Sequence, residues 1–174
     1  MAVLDVVKMG NPLLRKVSAP VGEELKTTLF QQTITDMVAT MRFQNGAGIA
    51  APQVGILKRA FTMEMVENPR YPDKNPFPLY IVINPEIEIL DKTLVDSWEG
   101  CLSIPNIRGK LKRYKRILLK AIDHNGTFFQ KELDGFAAIV AQHELDHLNG
   151  TLLIDRMDSM ETLSFQEEYE KYWM

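Results

Sequence analysis

Residues Gln142-His143-Glu144-Leu145-Asp146-His147 carry the pattern H-E-x-x-H. In a helix, histidines four apart lie one above the other on one face, because 3.6 residues make a turn. Both imidazoles can then reach one metal ion. Glu144 directly follows the first of them, so it flanks the site without having to ligate, as suits a general base acting on metal-bound water. The bland alternative is two surface histidines on an ordinary helix.

Two histidines leave a zinc or iron site incomplete. No histidine follows His147, and the downstream glutamates Glu161, Glu167, Glu168 and Glu170 crowd into an acidic terminal segment. Upstream, Trp98-Glu99-Gly100-Cys101-Leu102-Ser103 holds the sole cysteine. A lone cysteine forms no intramolecular disulfide, and thiolate is a good ligand for zinc or ferrous iron. A small buried hydrophobe is nevertheless the commoner fate of a free cysteine. The orphaned histidine pair tilts the balance toward Cys101 as the third ligand. The remaining histidine, His124 in Asp123-His124-Asn125-Gly126, reads as an exposed turn residue.

A further block, Gly46-Ala47-Gly48-Ile49-Ala50-Ala51-Pro52-Gln53, is built of small residues that let a backbone or ligand approach closely. It lacks the Lys-Ser/Thr of a phosphate loop. Gln53 ends the block with an amide able to donate to a developing oxyanion. By itself this is a Gly-rich turn after a helix.

Elements must hold these blocks in place. Phe136, Ile139, Val140, His143 and His147 recur at helical spacing, with Asp134 as N-cap and Asn149-Gly150 as stop signal. Phe136, Ile139 and Val140 share the metal-bearing face and are expected to wall the site. Glu23 to Arg42 reads as a long amphipathic helix burying Leu25, Leu29, Met37, Val38 and Met41. Strand-like runs cover 56–65, 79–90, 116–122 and 127–133, the last two joined through Asn125-Gly126, a strong hairpin signal. A last helix is expected from about Thr162 to Tyr172, and prolines make 67–78 a loop. The fold class is therefore α+β: mainly antiparallel strands packed around a central metal-binding helix, with an N-terminal and a C-terminal helix. One domain, 1–174, is expected at this length.

The chain carries 20 Lys and Arg against 23 Asp and Glu, a net charge of −3, so it has no global attraction to DNA. Six of the cations fall between Arg108 and Arg116. They read as a solvated edge strand guarded by lysines, with attraction to ribosomal RNA or acidic peptides as the competing reading. Met1 to Lys8 lacks the pattern of a signal peptide and no run approaches a membrane span, so a cytoplasmic location is expected. One cysteine suits a reducing compartment.

Taken together, the blocks resemble the peptide deformylase family. Its motifs G-x-G-x-A-A-x-Q, E-G-C-L-S and Q-H-E-x-D-H-L-x-G stand intact at 46–53, 99–103 and 142–150, in the family order. Similarity extends to Gly10-Asn11-Pro12-Leu13-Leu14-Arg15 and to Arg108. The resemblance implies that Cys101, His143 and His147 hold one divalent metal, with Fe(II) as the native ion and Zn(II), Ni(II) or Co(II) as alternatives. It implies that Glu144 is the base, that Gln53 and the Leu102 N–H stabilise the oxyanion, and that the substrate is an N-formyl-methionyl nascent peptide. The substrate pocket would draw on Gly46, Ala47, Gly48, Ile49, Arg108, Phe136, Ile139 and Val140. Glu99, Ser103, Gln142 and Asp146 would orient imidazoles and order loops, Asp146 through an ion pair with a basic residue of 108–116. Some bacterial relatives dock on the ribosome with a basic C-terminal helix. The acidic, aromatic segment 166–173 departs from that pattern, so any ribosome contact would be made otherwise; those aromatics are expected to pack on the core or a second subunit. A monomer or weak dimer is expected. Two other classes compete: a metallopeptidase with a downstream third ligand, and a metal-binding module without catalysis.

Overall fold

The computed structural model describes residues 1–66 and 74–174. Its framework is an antiparallel sheet in the order β1-β2-β3-β4-β5, with β6 also paired to β4. The strands are β1 (Gly48–Ala50), β2 (Ala60–Met65), β3 (Phe77–Cys101), β4 (Ile104–Ile122), β5 (Phe128–Asp134) and β6 (Ser164–Phe165). The helices are α1 (Thr28–Phe43), α2 (Gly135–Leu148) and α3 (Gln166–Tyr172). The α+β architecture around a central helix is as expected.

β3 and β4 form one long hairpin whose register runs from Ile83 opposite Ile122 to Cys101 opposite Ile104. The expected strands 79–90 and 116–122 are thus only parts of a longer ladder. Register shifts along the hairpin and charged residues facing solvent weaken the alternation by which a strand is read. The run at 56–65 becomes a strand only from Ala60, and Phe77–Pro78 belong to β3 rather than to a loop. Of the rest of the Pro-rich segment, 74–76 is irregular as expected, and 67–73 lies outside the described residues.

The expected helix 23–42 is interrupted. Glu23–Lys26 forms a 3-10 turn, and Thr27, in an extended conformation, starts α1 by accepting from the Phe30 N–H. The buried stripe is then Phe30, Ile34, Met37 and Met41, with Val38 beside it, while Leu29 faces solvent at 79% exposure. Similarly, the C-terminal helix begins at Gln166, not Thr162. Met160–Thr162 is a 3-10 turn, and Ser164–Phe165 pair with Arg108 and Ile107 of β4.

The cationic run is not a solvated edge. β4 lies between β3 and the β5 and β6 strands, Arg108 and Arg113 are buried, and Lys110 and Lys112 pair with Asp96 and Asp158. Between the stretches paired to β6 and β5, Gln142 of α2 acts as a surrogate strand. Its amide accepts from the Tyr114 N–H (3.0 Å) and donates to the Tyr114 carbonyl (2.9 Å). That pair of bonds docks α2 onto the sheet. Phe61, Met63, Ile117 and Leu119 pack with Ala138 and Ala141 of α2 on one side, and Ile49, Ala60 and Ile83 pack with Ile34, Met37 and Met41 of α1 in a second cluster.

Candidate active site

α2 ends at Asn149-Gly150, with Gly150 at positive φ, as its sequence predicts. Asp134 occupies the N-cap position, yet its side chain makes no capping bond. The helix carries His143, Glu144 and His147 inward, and all three are buried. Nε2 of His147 lies 3.2 Å from Nε2 of His143 and 3.2 Å from Sγ of Cys101. All three donor atoms fall within 4.8 Å of one another. Tetrahedral zinc-type bonds would separate such N/N and N/S pairs by about 3.3–3.6 Å, so the set fits a single ion with little movement. Neither His124 nor any downstream glutamate joins this cluster. His124 is only half-buried rather than exposed, in the β4–β5 turn, where its carbonyl accepts from Gln31.

The charge state suits a cation. Burial opposes ionisation of the Cys101 thiol, but the neighbouring His147 and His143 outweigh it and hold its pKa well below the ordinary value. Burial likewise disfavours charged His143, yet Cys101 and Glu99 hold its pKa well above the usual one. A divalent ion would displace the proton that these imidazoles share with the thiolate.

Behind the donors runs a buried chain of charges. Glu99 Oε2 lies 2.8 Å from Nδ1 of His143, which turns Nε2 toward Cys101. Arg113 grips Glu99 with two bonds, from Nε (2.8 Å) and Nη2 (2.9 Å), and reaches Asp146 through Nη1 (2.6 Å). Arg156 closes the far end, its Nη2 2.6 Å from the other Asp146 oxygen. The expected partner of Asp146 among 108–116 is thus Arg113. Burial pushes the Glu99 carboxyl up, but Arg113 overrides this and brings it to about 2. Nothing in the sequence singled out Arg113 from its five cationic neighbours.

Glu144 stands apart from that network. Its Oε2 is buried and has no hydrogen-bond partner among the described residues, and burial raises its pKa to about 7. Facing it is Gly48 of β1, where a β-carbon would lie 2.4 Å from Glu144 Oε1. Gln53 is oriented unambiguously. Its Oε1 accepts from the Ala50 N–H (2.8 Å), so its NH2 must point the other way, toward Ser103 Oγ (3.2 Å) and Cys101 Sγ (3.5 Å). Ser103 is buried beneath the donors, and its N–H faces the Cys101 sulfur at 3.4 Å.

A narrow cleft opens onto this cluster, walled by Gly46, Ala47 and Gly48 on one side and by Phe136, Ile139 and Val140 on the other. Leu102 also lines it, with its carbonyl held by Lys8 (3.0 Å). Ile49 does not line it. Alternation along β1 sends Ile49 into the core beneath α1, at 0% exposure. Arg108 sits farther out, 3% exposed, with its Nε donating to Gln166 (2.7 Å). Sequence reasoning missed Trp98, which walls the cleft beside the Cys101 motif. An aromatic residue next to a ligand loop was the available signal.

The profile of the polypeptide deformylase family matches residues 3–163. The chain belongs to the peptide deformylase family. Among its deformylase relatives, that of Leptospira biflexa is 41% identical over 172 residues, covering 98% of this chain and 96% of the relative. The peptide deformylase 1 of Prochlorococcus marinus is also 41% identical, over 98% and 88% of the two chains. A class I type b peptide deformylase from Acinetobacter baumannii, solved with Met-Ala-Ser bound, superposes with a TM-score of 0.86 at 39% identity, covering 90% of this chain and 99% of that one. The Thermotoga maritima deformylase gives 0.79 at 40% identity, over 91% and 100%. The chain is thus a deformylase-family enzyme.

Proposed function

We propose that the chain, acting as a single catalytic domain, removes the formyl group from N-formyl-methionyl peptides and releases formate. The observation that carries this reading is the buried carboxyl of Glu144, whose Oε2 has no hydrogen-bond partner among the described residues, beside three converging metal donors and a Gln53 amide aimed into the same space. The structure with bound Met-Ala-Ser supports a peptide substrate through its own protein.

Cys101, His143 and His147 would hold one divalent ion, with Fe(II) as the native choice and Zn(II), Ni(II) or Co(II) as substitutes. When bound, such an ion polarises a carbonyl and lowers the pKa of water from about 16 to near 7. Glu144 takes the proton from the attacking water as its oxygen bonds to the formyl carbon. The Gln53 NH2 and the Leu102 N–H donate to the carbonyl oxygen as it gains charge, each worth about 3 kcal/mol. Glu144 then passes the proton to the amine nitrogen as the C–N bond breaks, leaving formate and a free amino terminus. Gly46 and Gly48 leave room for a carbonyl carbon that bears only hydrogen. Phe136, Ile139 and Val140, with Ala47 opposite, receive the methionine side chain.

Among the described residues no helix is long and apolar enough to cross a membrane. We place the enzyme in the cytoplasm, acting on nascent chains as a monomer or weak dimer. Ribosome contact, if made, is not through a basic C-terminal helix, since α3 is acidic in its first turn.

The test is formate release from formyl-Met-Ala-Ser by protein prepared anaerobically with Fe(II), Ni(II) or Zn(II), because oxygen attacks ferrous iron and thiolate. Turnover that Glu144→Ala abolishes is expected. Absence of formate with every metal, despite one bound ion per chain, would overturn the assignment.

A further inference from the structure

The cleft continues beyond Trp98. A wider trough runs outward from Leu102, Phe136 and Ile139, past Arg108, to Tyr169 and Glu170 of α3. Seven residues are too few for an independently stable helix, so its contacts set its position. Arg108 binds Gln166 and lies 5.6 Å over the Tyr169 ring, while Trp98 packs on Tyr169 and Trp173 at 4.9 and 5.2 Å. Gln166, Tyr169 and Glu170 line the trough at the spacing of one helical face, joined by Met174 beyond the end of α3; Glu167 and Glu168 are exposed on another face. The ring that anchors α3, Trp98, is also a wall of the inner cleft.

An extended peptide advances roughly 3.3 Å per residue. With its formyl group at the donors, its third and fourth residues extend roughly 7–10 Å beyond the methionine, a span directed along the trough. We propose that α3 is a specificity wall, in which Tyr169, backed by Trp98 and Arg108, contacts the third and fourth residues of the formylated peptide. This rests on the deformylase reading above. The consequence is a preference for longer peptides, most of all those with an aromatic fourth residue, over the formyl dipeptide.

The experiment compares kcat/KM for formyl-Met-Ala-Ser-Phe and formyl-Met-Ala in the metal-loaded full chain. The wild type should favour the tetrapeptide several-fold. An aromatic contact of this kind corresponds to about two- to twelvefold, so Tyr169→Ala should shrink the ratio by that factor, mainly through KM of the longer substrate. Trp173→Ala, which loosens α3 without touching the peptide, should shrink it less, and Glu168→Ala should leave the ratio unchanged. A wild-type ratio near one overturns the proposal, as do equal losses on both substrates or an equal drop in Glu168→Ala. Turnover of the dipeptide in those cases leaves the deformylase reading standing. Formate from neither substrate sinks both.

Discussion

The carboxylate of Glu144 occupies the space that a β-carbon on Gly48 would need, 2.4 Å from Oε1 and 2.8 Å from Cδ. Gly48 has no positive φ, so this position needs glycine for the close approach and not for its backbone freedom. Gly48→Ala should displace Glu144, the proposed base, while leaving the fold intact. A misplacement near 1 Å costs about a hundredfold in rate. We expect that loss in kcat with a nearly wild-type Tm; retained kcat would show that the carboxylate has another productive position.

Removing Arg113 should cost more than removing an exposed cation. Glu99 and Asp146 would remain buried without their shared partner, a situation typically worth about 3–5 kcal/mol. Arg113→Met should therefore show a much lower urea midpoint than Lys112→Met, whose ion pair is exposed. Equal midpoints would mean that the buried chain of charges contributes no more than a surface pair.

The same network dictates an acid sensitivity. The Glu99 carboxyl sits at about 2 in the folded protein, below its ordinary 4.5. A depressed folded pKa contributes stability that is present above the unfolded value and is lost as pH falls through the folded one. Chelator-treated protein should thus lose up to about 3 kcal/mol between roughly pH 5 and pH 2 from this group. Glu99→Gln removes the titrating group, so its stability should fall less steeply across that window. An unchanged acid slope in denaturant melts would count against the pairing.

Cys101→Ser should lower metal affinity by more than about a hundredfold, beyond the loss typical of a residue that merely orients a ligand. Wild-type Tm should fall on chelation, because an ion bound at a hundred times its Kd adds about 2.7 kcal/mol. The serine variant should show no such shift. Metal content measured after dialysis gives the independent reading.

Gln142 is expected to matter for stability rather than chemistry. Gln142→Ala strips the Tyr114 N–H and carbonyl of their partners at the α2–β4 contact. At about 1–3 kcal/mol, Tm should drop by about 2–12 °C, with most activity kept in the folded, metal-loaded enzyme. A Tm unchanged from wild type would mean that water replaces the amide.

The helix that carries the two candidate histidine ligands was legible because everything that makes it is local. The spacing of His143 and His147, the apolar positions before them and the Asn149-Gly150 stop all lie within one short segment. The Asn125-Gly126 hairpin was readable for the same reason. The interruption at Thr27 was missed, since the apolar spacing of 23–42 continues through a residue whose own side chain caps the helix.

By itself, then, the sequence picked out the residues that gather at the candidate site, because their types, short spacings and motif order are local properties. Only the tertiary structure decided how they meet. Cys101 reaches the histidines because the β3–β4 hairpin turns next to it, and Gln53 aims inward because Ala50 claims its carbonyl oxygen. Arg113 rather than Lys112 is buried because the pleat alternates, and Gly48 rather than Ile49 meets Glu144 for the same reason. α3 sits at the mouth of the cleft because Trp98 and Arg108, 58 to 75 positions upstream of their partners, hold it there. Contacts across such separations leave no periodicity in the chain, and packing alone selects them.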